Sequence, residues 1–155
     1  MPDPVLRDAT RGDLPAVREL VFGVTAEYGF APDPGGADRD LFDEADAYFG
    51  EGGMLQVLVD GGRVVGVVGV VPRPPDASEL RKIYLARDHH GRGLGRLLLE
   101  AAVAFARARG SARLVLETSS KFTEALRLYE RAGFLPAGDP TRSCHCDRSL
   151  ELKLG

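Results

Sequence analysis

Apolar positions along this chain follow two periods, one of strands and one of helices, and their order sets the architecture. Val5-Leu6-Arg7 reads as a first strand. Thr10 to Asp13 is a capping-box-like start, and Val17, Leu20, Val21 and Val24 then recur at helical spacing. A Pro-, Gly- and Asp-rich loop from Tyr28 to Ala37 leads to a second helix, expected from about Asp38 to Phe49 with Leu41, Ala45, Tyr48 and Phe49 as its apolar positions. Met54 to Val59 and Val64 to Val71 read as strands around Asp60-Gly61-Gly62-Arg63, a strong hairpin signal, and Pro72, Pro74 and Pro75 make the next connection. There follow a strand from Glu79 to Leu85, a glycine-rich turn, a long helix, a strand from Arg113 to Glu117, a helix around Ala125, and strands near Phe134 and from Arg148 to Leu154. Strands that pair first as hairpins and then connect through helices predict an α/β fold with a mixed sheet. No repeat, low-complexity tract or linker divides the 155 residues, so a single domain over 1–155 is expected.

The glycine-rich turn, Asp88-His89-His90-Gly91-Arg92-Gly93-Leu94-Gly95-Arg96, carries the first chemical signal. Glycines let the backbone approach a ligand closely, and the first N–H groups of the following helix stay unpaired and point at it. A diphosphate fits such a cradle. The helix places Leu94, Leu97, Leu98, Ala101, Ala102 and Phe105 on one face and stops at Gly110 after Arg107 and Arg109, so the turn sits on a rigid base. His89 reads as a surface turn residue. The spacing is neither Gly-x-x-x-x-Gly-Lys-Ser/Thr nor Gly-x-Gly-x-x-Gly, which argues against a P-loop NTPase and a dinucleotide fingerprint.

Instead, His90-Gly91-Arg92-Gly93-Leu94-Gly95 resembles the acetyl-CoA motif Gln/Arg-x-x-Gly-x-Gly/Ala of the GCN5-related N-acetyltransferase superfamily, with His90 where Gln or Arg is usual. Downstream, Ala125-Leu126-Arg127-Leu128-Tyr129-Glu130-Arg131-Ala132-Gly133-Phe134 is similar to that superfamily's Asn-x-x-Ala-x-x-Leu-Tyr-x-x-x-Gly-Phe element, with Phe122 at the Asn position. Ser119, Ser120 and Lys121 are the candidates to replace the hydrogen bond that such an Asn gives. The resemblance spans nearly the whole chain. It implies a mostly antiparallel central sheet with splayed central strands flanked by helices, and transfer of an acetyl group from acetyl-CoA to a primary amine. Ile83, Tyr84 and Leu85 would pair with the pantetheine arm, and His90, Gly91, Arg92, Gly93, Leu94, Gly95 and Arg96 would hold the diphosphate.

Such a reaction makes two demands. An alkyl amine with a pKa near 10 is neutral only about one time in a thousand at pH 7, so a base must take a proton before the nitrogen attacks. Glu79 and Glu117 are equal candidates, since both positions carry the base in branches of the superfamily. The departing thiolate leaves more easily when protonated, and Tyr129 matches the superfamily's general acid; a phenol is protonated at pH 7 and can donate to sulfur. Tyr84 reads as core or pocket wall. Backbone N–H groups where the central strands part would hold the oxyanion.

Composition narrows the alternatives. A net charge of −3 and a pI near 5.6 give no basic footprint for nucleic acid. No apolar run is long enough for a membrane span and the first residues lack a signal-peptide pattern, so a cytoplasmic protein is expected. Cys144-His145-Cys146 lacks paired Cys-x-x-Cys spacing, so no metal is expected and reduced thiols are. That segment is instead a candidate wall of the acceptor pocket. The resemblance implies that the first helices with their loop and the loop between the last two strands shape this pocket, and here they offer Tyr28, Phe30, Asp33, Asp38, Asp40 and Asp43, then Arg142, His145 and Asp147. An acidic rim would suit a cationic amine, whereas Arg142 and His145 would suit a carboxylate-bearing acceptor such as an amino acid. A small-molecule amine or amino acid is slightly favoured. Dimerisation, common in the superfamily, is specified by no segment. A non-catalytic acetyl-CoA-binding sensor or partner domain is the alternative, opposed by retention of Tyr129, Glu79 and Glu117.

Overall fold

The computed structural model, which describes residues 3–138, 141 and 146–155, folds the alternating segments into one seven-stranded sheet. Strands β1 (Val5–Asp8), β2 (Met54–Asp60), β3 (Arg63–Arg73) and β4 (Ala77–Leu85) form an antiparallel meander. Strand β5 (Arg113–Thr118) pairs in parallel with β4, and β7 (Arg148–Lys153) lies antiparallel between β5 and the short β6 (Leu135–Pro136). The sheet is mixed and mostly antiparallel, as the pattern predicts.

Helices cover both faces. Helix α1 (Leu14–Ala26) and the one-turn α2 (Asp46–Phe49) close a core of Val17, Val21, Leu41, Tyr48, Val57 and Val67. Helices α3 (Leu94–Ala108) and α4 (Thr123–Ala132) close the other, around Leu58, Val68, Leu80, Leu98, Leu114 and Leu116. The α3 stripe is rotated from the expected one. Leu97 is 38% exposed, while Leu99 and Ala106 are buried instead.

The second helix expected over 38–49 is broken. A 3-10 turn at Arg39–Leu41 is followed by non-helical Phe42 and a single α turn at Asp46–Phe49. Asp-rich segments favour local side-chain bonding over helix, and here Asp40 is drawn inward, accepting hydrogen bonds from the Tyr48 hydroxyl and from Lys82 Nζ at 3.0 Å. Gly69 makes this possible, because a Cβ there would stand 2.8 Å from the Tyr48 ring. Pro72 also departs from expectation, belonging to β3 rather than to the connection. It pairs with Ser78 of β4 beyond Met54–Val70, the last pair with β2, so its missing N–H faces no ladder there.

The decisive feature is a fork. Strands β4 and β5 pair from Ala77–Arg113 only as far as Leu80–Leu116. At that point the register with β3 skips Arg81, with Gly69 opposite Lys82 and Val70 opposite Leu80. Such a bulge bends its strand and sharpens its twist, so the Arg81–Leu85 stretch follows β3 and parts from β5.

Candidate active site

The fork opens into a cleft of about 1330 Å³. One wall is Ile83, Tyr84 and Leu85 of β4, another is Glu117 and Thr118 of β5, and the N-terminal ends of α3 and α4 close it. Beyond Leu80, the β4 edge facing the gap has no strand partner among the described residues. An extended ligand can take the place of a strand there.

The glycine turn borders one end of this cleft. Gly91 and Gly93 have φ of +79° and +77°, conformations that side chains with a Cβ rarely adopt. A Cβ built on either meets no heavy atom within 4 Å, so the space above them is open. Gly93 is the N-cap of α3, and its unpaired N–H groups and dipole suit a diphosphate. His90, Gly91, Gly93, Leu94, Gly95 and Arg96 line the cleft. Arg92 does not; its side chain is exposed.

His90 is tied down on both sides, with Nδ1 2.7 Å from Glu124 of α4 and Nε2 3.1 Å from the Leu85 carbonyl oxygen. His89 corrects the sequence reading, because it is buried rather than a surface residue. Its ring bridges Asp60 at 2.7 Å and Asp88 at 2.8 Å, fastening the turn before the cradle to the β2–β3 hairpin. Two carboxylates facing both nitrogens favour the imidazolium, and these hydrogen bonds, Asp60 first, raise its pKa. A raised folded pKa gives stability that is complete below the unfolded value and lost as pH rises through the folded one. His89→Gln is therefore expected to cost about 1 kcal/mol near pH 6 and progressively less above the His89 pKa, as read by urea unfolding at both ends.

The three proposed catalytic side chains reach the fork from opposite faces. Glu79 pairs in register with Val115, and Glu117 lies two residues beyond Val115, so both carboxylates share a sheet face. Leu80, Leu114 and Leu116 occupy the other, against α3 and α4. Tyr129 rises from α4 on that second face and is buried at the cleft. Burial first, and Cys146 second, push its phenol well above the ordinary tyrosine range. Tyr84 lies against the α1–α2 core and is raised by burial and then by Tyr129, Asp38, Cys146 and Asp40, the groups gathered around the fork. Glu117 is the first residue of β5 past its last pair with β4, whereas Glu79 lies one pair inside.

Sequence reasoning missed Lys82. It is 4% exposed, donates to the Ala37 carbonyl at 3.1 Å and to Asp40 at 3.0 Å, and pins the loop after α1 onto β4. The available signal was a lysine inside an apolar strand, with Asp38 and Asp40 upstream. Asp38 accepts the Asp33 N–H at 2.9 Å and borders the cleft beside Asp33, Tyr28 and Phe30. Asp40, paired behind Lys82, does not, and neither does Asp43. Phe122 is the N-cap of α4. Of its suggested substitutes, Ser120 donates to Asp147 at 2.7 Å and Ser119 accepts the Lys121 N–H at 3.2 Å. Cys146 lines the cleft, while Arg142, Cys144 and His145 lie outside the described residues. Among the described residues no group of three His, Cys, Asp or Glu could hold a metal ion, and no helix is long and apolar enough to cross a membrane.

Residues 22–134 match the family model of the acetyltransferase (GNAT) family. The uncharacterized N-acetyltransferase YjgM of Escherichia coli K12 is 37% identical over 136 residues, 84% of this chain and 81% of that protein. Vertebrate N-acetyltransferase relatives are 30 to 35% identical, and the chain spans only 45 to 48% of their length. Among solved structures, a GNAT-family acetyltransferase of Staphylococcus aureus Mu50 superposes with a TM-score of 0.89 at 18% identity, covering 98% of this chain and 99% of that one. A phosphinothricin acetyltransferase of Sinorhizobium meliloti, in complex with AcCoA, gives 0.76 at 20% identity, covering 99% and 90%.

Proposed function

The chain belongs to the acetyltransferase (GNAT) family, and from that premise we propose that it transfers an acetyl group from acetyl-CoA to a primary amine by direct attack. The observation that carries this reading is the fork, which sets candidate bases on one face and a buried phenol on the other. The attacking nitrogen and the departing sulfur are different substituents of the tetrahedral carbon, each needing its own proton-transfer group, and a closed sheet would separate the two groups. The open cradle at Gly91 and Gly93 fits a diphosphate, and the unpartnered β4 edge fits the amide-bearing pantetheine arm. A solved structure of the same fold is in complex with AcCoA, which supports acetyl-CoA as the donor.

In this mechanism Glu117 takes a proton from the acceptor ammonium, directly or through water, and the freed nitrogen forms the C–N bond. Backbone N–H groups of β4 at the bulge hold the oxyanion. The C–S bond then breaks while Tyr129 donates its proton to the thiolate, and the proton shed by the nitrogen restores the phenol. Glu117 is preferred to Glu79 because it opens the unpaired part of the fork. Glu117→Gln is expected to lower kcat about 100-fold and to remove the carboxylate's limb from the pH profile, with Glu79→Gln costing less than about tenfold. The reverse order of effects assigns the base to Glu79.

Calorimetric titration with acetyl-CoA and with desulfo-CoA tests the reading at its first step. Saturable binding of both is expected; a folded protein that binds neither contradicts it.

A further inference from the structure

The acceptor side of the fork is ringed by aromatic side chains. The chain has only four tyrosines and seven phenylalanines, yet Tyr28, Phe30, Tyr84 and Phe122 converge here. The Phe122 ring is 4.7 Å from Tyr28, 5.5 Å from Phe30 and 6.5 Å from Tyr84, centroid to centroid. The rings come from the segment just after α1, from β4 and from the cap of α4, so the cluster bridges the two sides of the cleft. All four are half-buried and line it, which leaves aromatic surface facing the space the acceptor must enter.

Charge at the same end points to the other half of the ligand. Asp33, Asp38, Glu79 and Glu117 border this space. Of the cations beside them, Lys82 is paired with Asp40 at 3.0 Å and Arg39 with Glu44 at 2.9 Å, Arg81 lines the same space, and Lys121 Nζ stands 5.1 Å over the Phe30 ring. Asp38 is buried, with one oxygen on the Asp33 N–H and the other ion-paired with Lys82 at 3.8 Å, a separation too long for a hydrogen bond. It therefore keeps acceptor capacity toward the cleft.

Resting on the acyltransferase reading above, we infer that the acceptor is a primary ammonium borne on an aromatic or similarly flat apolar group, which packs on Phe122, Tyr28 and Phe30 while the ammonium meets Asp38. Phe122 is then a specificity-determining residue at the position where the superfamily's motif has Asn. Offset and edge contacts between rings favour such a ligand beyond area burial alone, and a hydrophilic amine gains nothing from them.

The test compares kcat/KM for 2-phenylethylamine and ethanolamine in the wild type, Phe122→Ala, Phe122→Leu and Asp38→Asn, with melting temperature and acetyl-CoA affinity followed for each. The wild type is expected to favour 2-phenylethylamine at least about tenfold, and Phe122→Ala to reduce that ratio to within about threefold. Phe122→Leu, which preserves bulk, retains an intermediate ratio and serves if the alanine variant does not fold. Asp38→Asn lowers both amines by a similar factor and leaves the ratio in place. Equal or inverted wild-type preference, or a ratio that survives in a folded Phe122 variant, overturns the inference alone. Absence of transfer to any amine despite acetyl-CoA binding overturns the acyltransferase reading and this inference with it.

Discussion

Gly93→Trp is expected to weaken acetyl-CoA binding by a hundredfold or more, about 2.7 kcal/mol, while the protein stays folded. Two properties of the position combine to give this result. Its φ of +77° disfavours any residue with a Cβ, a cost of about 1–2 kcal/mol that lowers the melting temperature by roughly 3–6 °C. The larger effect is steric and electrostatic. The Cβ vector at Gly93 enters open space beside the N-terminus of α3, so an indole there fills the volume a diphosphate needs and shields the helix N–H groups. Gly93→Ala separates the two causes, because it carries the backbone strain without the bulk. It is expected to lose stability comparably but to retain binding within about fivefold. Calorimetry with desulfo-CoA and thermal melts of the same samples provide the comparison.

Tyr129→Phe is expected to lower kcat by a factor of about 100 or more, with acetyl-CoA affinity changed less than about threefold. The ring is buried against Phe134, 5.6 Å between centroids, and phenylalanine preserves that packing. Only the hydroxyl is lost, and with it the proton that the proposed mechanism gives to the departing thiolate. Burial holds the phenol protonated well above the ordinary tyrosine range. The wild-type rate should therefore rise with pH as the acceptor amine deprotonates, and not fall again where a solvent-exposed tyrosine would ionise. Steady-state kinetics against pH for both proteins check the magnitude and the profile. An equal effect on KM and none on kcat would make Tyr129 a packing residue.

What the sequence displays best is periodic, and this is why most strands, the long α3 helix and the α/β class were legible. Strand alternation and a helical stripe are properties of neighbouring residues. The fork was available only through resemblance, because it depends on a one-residue bulge at Arg81 that no local composition signals. The second helix failed for a related reason. Asp40 sits in a pattern that reads as helical, but its carboxylate is committed to Lys82, 42 positions away, and to Tyr48. His89 failed likewise, since its partner Asp60 lies 29 residues earlier, across a hairpin. The candidate site was legible where its geometry rests on glycine conformation and a helix start. It was opaque where long-range pairs shape it, as at Lys82, and where rings from separate elements meet, as at Phe122.

Transfer, rather than binding alone, distinguishes the proposed enzyme from a sensor domain, which would share the cradle. The most direct measurement follows release of the CoA thiol from acetyl-CoA with and without a primary amine, with mass analysis of the amine. Amine-dependent thiol release, an acetylated amine in equal amount, and loss of both in Tyr129→Phe are expected of an acetyltransferase. Tight acetyl-CoA binding with thiol release that no amine accelerates would contradict the acyltransferase reading and leave a cofactor-binding domain without turnover.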